Sequence, residues 1–263
     1  MDYYKICEQK LKYLNYSPRT IDLYLSYISK FLSQITVPPS RLVAKDFQAY
    51  LDNYKFSSVS QQNQVINAIR FLYKYGLDKR YDKVSFQRPR TEKKLPRVID
   101  GAYIRECISK IENKKHKSII SLGFSVGLRV SEVLNLKIED IDSKRMVINI
   151  KNSKGRKDRV VPLSSIILNT LREYSQEYQP KVYLFNGQSG LQYSQKSCNQ
   201  IVKKYLGNDY HFHLLRHSSF TSMLESGIDI RIIQKLAGHN SVKTTEIYTH
   251  VSNRLLSNIA LPL

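Results

Sequence analysis

The chain has 263 residues, enough for one large domain or two of ordinary size, with a core that needs neither disulfides nor metal. No apolar run approaches the roughly 18–20 residues that span a bilayer, and the start Met1-Asp2-Tyr3-Tyr4-Lys5 lacks an apolar signal core, which argues for a cytoplasmic protein. Forty-two Lys and Arg face 22 Asp and Glu, a formal +20, spread as 17 basic against 8 acidic residues up to Leu95 and 25 against 14 beyond it. Such self-repelling charge calls for an anionic partner, and nucleic acid held by two basic halves is the natural candidate, against a loose association with ribosomes or membranes.

In chain order, the first 88 or so residues read as a small helical bundle. Ser17 is placed as an N-cap with Pro18 at the first helical position, and Ile21, Leu25, Ile28 and Leu32 follow at helical spacing. Pro38-Pro39-Ser40 breaks the chain, Val43, Phe47, Tyr50 and Leu51 mark a short helix, and Ser60 to Tyr75 reads as another, stopped by Gly76. Arg88-Pro89-Arg90-Thr91-Glu92-Lys93-Lys94-Leu95-Pro96-Arg97 resists both helix and burial, which predicts an extended linker, lying along phosphates or serving as a solvated hinge. Beyond it, helices are predicted at 100–112, 117–127 and 129–135, and strands at Met146–Ile150 and Asp158–Leu163 around a basic hairpin tip. Helices then resume at 164–178, 194–206, 213–226, 229–237 and 241–250, before an apolar tail from Ser252 to Leu263. The expected organisation is thus a helical domain over 1–87, a basic linker over 88–97 and a mixed domain over 98–263.

Four segments of the second half carry groups suited to chemistry. In Gly127-Leu128-Arg129-Val130-Ser131-Glu132, Arg129 and Glu132 are one turn apart and share a face, as a surface ion pair also would. The hairpin tip offers Lys154, Arg156, Lys157 and Arg159, either a finger for a phosphate or a solvated turn. In His211-Phe212-His213-Leu214-Leu215-Arg216-His217, His213 and Arg216 project to one side near a helix start, where an anion is favoured. A metal held by His211, His213 and His217 is the rival there, without the glutamate of an HExxH motif or a nearby Cys or Asp, and His217 is read as structural. The last segment runs from Leu236 to His250 and holds His239 and Tyr248. Cys7, Cys107 and Cys198 are odd in number and far apart, which excludes a disulfide framework and a CxxC knuckle.

Together, GLRVSEVLNL, KGRKDRVVPL, HLLRH and LAGHNSVKTTEIYTH resemble, in order and spacing, the tyrosine recombinases, the phage integrase and Xer-like family. The resemblance covers most of residues 96–252, and the helical start looks like the family's SAM-like core-binding domain, with no room before it for an arm-type domain. It implies a mainly α fold with a small antiparallel β element: a helical N-terminal core-binding domain and a mixed α/β catalytic domain. It also implies catalytic roles for Arg129, Glu132, Lys154 (with Lys157 as the alternative in the same hairpin), His213, Arg216, His239 and the nucleophile Tyr248. The activity implied is site-specific DNA recombination through a covalent 3′-phosphotyrosine, without metal, cofactor or ATP, in integration and excision, inversion or Xer-like resolution. Implied partners are double-stranded DNA with an inverted-repeat core site, a homotetramer on two such sites and, in some systems, accessory proteins, all at the nucleoid and none at a membrane. The competing readings are a topoisomerase-like enzyme of the same chemistry, an inactive DNA-binding descendant of the family, and a metal-dependent nuclease.

The residue types suit that chemistry. A phenol near pKa 10 has to lose its proton as it attacks, and an imidazole titrating near neutrality, His213 in this reading, is the group to assist. Two planar, permanently charged guanidinium groups, Arg129 and Arg216, can clamp the non-bridging oxygens as they gather charge, and His239 can add a hydrogen bond. Glu132 would orient its neighbours, and Lys154 would protonate the departing 5′ oxygen.

Overall fold

The computed structural model describes residues 2–79, 88–90, 96–151, 158–187, 192–239 and 241–249. They fall into two compact units, Met1–Lys93 and Lys94–Leu263.

Among the described residues the first unit holds four α-helices: α1 (Tyr3–Tyr13), α2 (Pro18–Gln34), α3 (Ala44–Asn53) and α4 (Val59–Phe71). Their starts are fixed by short polar side chains. Asp2, Ser17 and Ser58 each accept a hydrogen bond from a backbone N–H of the first turn, and Pro18 stands where its missing N–H costs nothing. The apolar faces meet around Leu11, Ile28, Phe31, Phe47, Val65 and Ile69, with the Phe31 and Phe47 rings stacked at 5.1 Å. The helix expected to run to Tyr75 stops at Phe71, and a wider turn over Leu72–Gly76 follows, turning Leu72, Tyr73 and Gly76 inward against α1. At the start of the basic connection, the Arg88 guanidinium donates to Asn63 and Asn67 on α4; residues 91–95 lie outside the described residues.

The second unit contains α5 (Gly101–Ser109), α6 (Lys114–Ser125), α7 (Val130–Asn135), α8 (Ser165–Tyr178), α9 (Gln195–Leu206), α10 (Phe212–Glu225) and α11 (Ile230–Ala237). Three strands, β1 (Ile141–Asp142), β2 (Val147–Ile150) and β3 (Arg159–Pro162), form an antiparallel sheet in that order, with Ile148 opposite both Ile141 and Val161. Ile148, Ile150 and Val161 point into the core while Val160 faces solvent, the period-2 alternation of a one-sided sheet. The protein is therefore mainly helical with a small antiparallel sheet, the expected class.

Helix α10 occupies the centre of this unit. Phe212, Leu214, Leu215, Ser218, Ser219, Phe220, Thr221 and Leu224 are all buried, so most of its surface is covered, with His213 exposed in the first turn. Gly123 on α6 lets it approach closely: a Cβ there would stand 2.6 Å from the Phe212 ring. The helix expected at 241–250 is instead two short 3₁₀ turns, Val242–Thr244 and Glu246–Tyr248. Val242, Thr244, Thr245, Ile247 and Thr249 are β-branched and give up side-chain freedom in an α-helix, while three residues per turn set Thr245 and Tyr248 on one buried face. Among the described residues no helix is long and apolar enough to cross a membrane.

Candidate active site

The site is assembled where the ends of α6, α7 and α11 meet the first turns of α10. Arg216 lies in the second turn of α10 and is 1% exposed. A buried guanidinium without partners is costly, and here its partners are carbonyls that helix ends leave free. Its Nη1 donates to Gly127 O at 2.5 Å, just past the end of α6, and its Nη2 to Ala237 O at 2.6 Å, at the end of α11. Both carbonyls lie at the negative pole of a helix, where a cation is stabilised. Gly127 and Gly238 each have φ +62°, the left-handed turn that ends the segment and aims its carbonyl inward. The Phe220 ring covers the guanidinium at 4.7 Å. Burial, and then the charge of Arg129, draw Arg216 down to about 9, still protonated at neutral pH.

Arg129 is the N-cap of α7, and its backbone N–H and its Nη1 donate to the two carboxylate oxygens of Glu132 at 2.8 and 2.7 Å. Glu132, its side chain 3% exposed, also accepts a bidentate pair from Arg159 at 2.7 and 2.8 Å. Burial acts to raise the Glu132 carboxyl, but the hydrogen bonds and charge of Arg159, with the bonds from Arg129, outweigh it and hold it down at about 2. The expected Arg129–Glu132 pair is thus the inner half of an Arg–Glu–Arg group. Arg159, read from sequence as part of the hairpin finger, faces inward on β3 instead, and its Nε ties the sheet to α11 through Leu236 O at 2.8 Å. It is a site residue that sequence reasoning missed; its place at the start of the strand, outside the 151–157 tip, was the available signal.

His239 follows α11 directly. Its Nε2 lies 3.2 Å from Arg216 Nη2 and its Nδ1 3.0 Å from Thr245 Oγ1. A guanidinium can only donate, so Nε2 accepts and the ring proton sits on Nδ1. Burial and the charges of Arg216, Arg129 and Arg159 push this imidazole down to about 4. Tyr248 lies below it, 2% exposed, its ring 5.5 Å from that of Phe220. Burial raises the phenol above its ordinary range, and the charges of Arg216 and Arg129 act against that rise.

The imidazole at Tyr248 is not the expected one. His217 Nδ1 stands 3.2 Å from Tyr248 Oη, and His213 packs edge-on against the far side of the His217 ring, at 4.5 Å between centroids. His217, read from sequence as structural, thus contacts the phenol. Its position four residues after His213, on the same face of the helix, was the signal. Lys154 and its alternative Lys157 lie outside the described residues. Among the described residues, no three His, Cys, Asp or Glu side chains are grouped to hold a metal ion.

Two guanidinium groups on one carboxylate, with the third, Arg216, held by carbonyls, leave a surplus of positive charge beside a buried phenol, an arrangement suited to a single anionic group such as a phosphodiester.

Residues 97–254 match the Phage integrase family, and residues 4–83 match the phage integrase N-terminal SAM-like domain. The chain is 37% identical over 250 residues to the tyrosine recombinase XerA of Pyrococcus horikoshii, covering 91% of this chain and 86% of that protein. It is 30% identical over 274 residues to the tyrosine recombinase XerC of Staphylococcus epidermidis, covering 94% and 91%. Its fold superposes on the XerH site-specific recombinase bound to difH substrate with a TM-score of 0.69 at 25% identity, over 97% of this chain and 82% of that one. For the crystal structure of XerA recombinase the TM-score is 0.57 at 27% identity, over 97% and 95%. The chain belongs to the phage integrase family and is a tyrosine recombinase, an enzyme of site-specific DNA recombination.

Proposed function

We propose that this recombinase cuts one strand of duplex DNA by attack of Tyr248 Oη on a phosphodiester, forming a 3′-phosphotyrosine and a free 5′-hydroxyl, and then rejoins a strand by the reverse step. The observation that carries the reading is the pairing of Arg129 and Arg159 on the Glu132 carboxylate, with the carbonyl-held Arg216 guanidinium beside them and the charges of Arg216 and Arg129 acting on the buried Tyr248 phenol. The ester keeps the energy of the broken bond, so religation needs no nucleotide.

In this reading Arg216 is anchored on its helix-end carbonyls and, with Arg129, receives the charge that grows on the non-bridging oxygens. Glu132 and Arg159 hold Arg129 in place from the side away from the phosphate. His239 adds a donor when its ring proton shifts from Nδ1 to Nε2, Thr245 Oγ1 then donating to Nδ1, so that Nε2 leaves Arg216 and donates to a phosphate oxygen, and His213 packs on His217. Lys154, by the resemblance of its Ser-Lys-Gly sequence, protonates the departing O5′. Residues 1–87 form the DNA-holding core-binding domain, residues 88–97 the basic linker and residues 98–263 the catalytic domain. The XerH structure is a complex with DNA, which supports duplex DNA as the partner here. Exchange between two sites calls for four protomers, with the apolar stretch after Tyr248 as the natural link between neighbours.

The reading is tested by incubating the protein with a nicked suicide duplex and resolving the products on a denaturing gel. A slow-moving protein–DNA adduct is expected for the wild type and none for Tyr248→Phe. An adduct of undiminished yield in the phenylalanine variant would place the nucleophile elsewhere.

A further inference from the structure

For Tyr248 to attack, its phenolic proton must go somewhere; the arginines can only donate, and both oxygens of Glu132 already accept from Arg129 and Arg159. Among the described residues, the imidazole within hydrogen-bond distance of Oη is that of His217, with Nδ1 at 3.2 Å and the two rings 5.6 Å apart. His213, the residue the motif suggests for this task, touches His217 rather than the phenol. Three residues after His217 on the same helix face, Phe220 supports the other side of the Tyr248 ring at 5.5 Å. Helix α10 thereby provides both the bed on which the phenol rests and the ring nitrogen at its oxygen. The residues on either side of His217 in that helix, Arg216 and Ser218, are buried, so the nitrogen is held by a helix anchored in the core and not by a loop.

Resting on the reading in which Tyr248 is the nucleophile, we propose that His217 is a catalytic residue: the general base that takes the phenolic proton onto Nδ1 as Oη bonds to phosphorus. The Oη–P bond forms and the P–O5′ bond breaks, with its electron pair leaving on O5′. The phenolic proton ends on His217, and O5′ receives its proton from the hairpin lysine. In religation His217 returns the proton to Oη as the Oη–P bond breaks. Acceptance at Nδ1 requires the neutral ring to carry its own proton on Nε2.

The surroundings keep His217 ready as a base. Burial comes first, followed by His213, Arg216 and His211 on its own helix and His239 beyond α11, and together they push it down to about 4, so it is unprotonated at neutral pH. Tyr248 faces it from the 246–248 turn. A base this weak does not strip the phenol beforehand. It takes the proton only while Oη is bonding to phosphorus, when the phenolic oxygen loses its basicity and the bound phosphodiester anion offsets the cationic neighbours.

Single-turnover cleavage of the suicide duplex by the whole chain tests this, using His217→Gln and His217→Ala, each with tyrosine or with 2,3-difluorotyrosine at position 248. DNA binding by gel shift, run in parallel, confirms that each variant is folded. Glutamine keeps a hydrogen bond to the phenol but cannot take its proton, so both variants are expected to cleave about 100-fold more slowly or worse. Difluorotyrosine, a more acidic phenol that needs less help, should recover a large part of the loss in both variants while changing the wild type little, and added imidazole should rescue His217→Ala. Cleavage at the wild-type rate by His217→Gln would overturn the proposal, as would a defect that neither the acidic phenol nor imidazole relieves, which would make His217 a structural support. If the wild type itself formed no adduct through Tyr248, the underlying reading would fail instead, and the wild-type lane reports that separately.

Discussion

At the scale of single residues, the site turns on how a charge is kept in a protein interior. Arg216 has no carboxylate of its own; it is held by the carbonyls of Gly127 and Ala237, which fix its position without neutralising it. Its attraction for a phosphate is therefore undiminished, whereas the charge of Arg159 is spent on Glu132. Arg216→Ala is accordingly expected to bind DNA and to cleave 100- to 1000-fold more slowly, the loss of one transition-state donor worth roughly 3–4 kcal/mol; cleavage of the suicide duplex at an unchanged rate would remove the clamp. The buried ionisable groups also predict how stability follows pH. Glu132 has its carboxyl at about 2 against an ordinary 4.5, a gap worth about 3 kcal/mol of stability that is complete above pH 4.5 and lost as pH falls toward 2. His217 and His239 are depressed from 6.5 to about 4, so between those values the unfolded chain takes up protons that the folded chain refuses, and stability falls as pH drops through that window. Thermal melts of the free protein should therefore decline in two stages, the upper removed by the double substitution His217→Gln, His239→Gln and the lower by Glu132→Gln. A melting temperature constant from pH 7 to pH 4 would contradict this.

At the scale of elements, two glycine turns do what no side chain does. Gly127 and Gly238 follow α6 and α11 with φ +62°, and these turns present the carbonyls of Gly127 itself and of Ala237 to Arg216. A Cβ at Gly127 would lie 2.6 Å from the Phe220 ring, the ring that also supports Tyr248. Gly127→Ala is expected to destabilise the protein by about 1–3 kcal/mol through backbone strain alone, and to slow cleavage further than that loss of stability explains; urea melts read beside single-turnover rates separate the two effects. The helices were legible in the sequence where local chemistry marks their ends, as Ser17-Pro18 marks α2 and Gly76 marks the end of the turn after α4. The 241–250 segment was not, because its apolar spacing suits a helix while its β-branched residues and the tight approach to α10 favour 3₁₀ turns. Strand β1 is two residues long, too short to show alternation. Of the site, Arg129, Glu132, Arg216, His239 and Tyr248 were legible because their spacing repeats a family pattern. Arg159 and His217 were hidden because what distinguishes them is a partner 27 or 31 residues away in the chain, and contact at that distance leaves no periodicity.

At the scale of the whole molecule, 42 basic residues against 22 acidic ones make binding to a polyanion the expected state. Each phosphate neutralised releases condensed counterions, so affinity for duplex DNA should fall linearly on a log–log plot against salt, by about 10³ to 10⁵ between 50 and 200 mM if 6–10 phosphates are engaged. Fluorescence anisotropy on a random duplex measures this, and an affinity indifferent to salt would mean that the surplus charge does not face the nucleic acid. Such binding brings the chain to DNA; cutting it needs the phenol. The most direct measurement of the central claim is peptide mapping by mass spectrometry of the adduct trapped on a suicide duplex. The account predicts a nucleotide 3′-phosphate esterified to the peptide that contains Tyr248, on the phenolic oxygen. A nucleotide carried on any other side chain, or cleaved DNA with no linkage to protein, would contradict it.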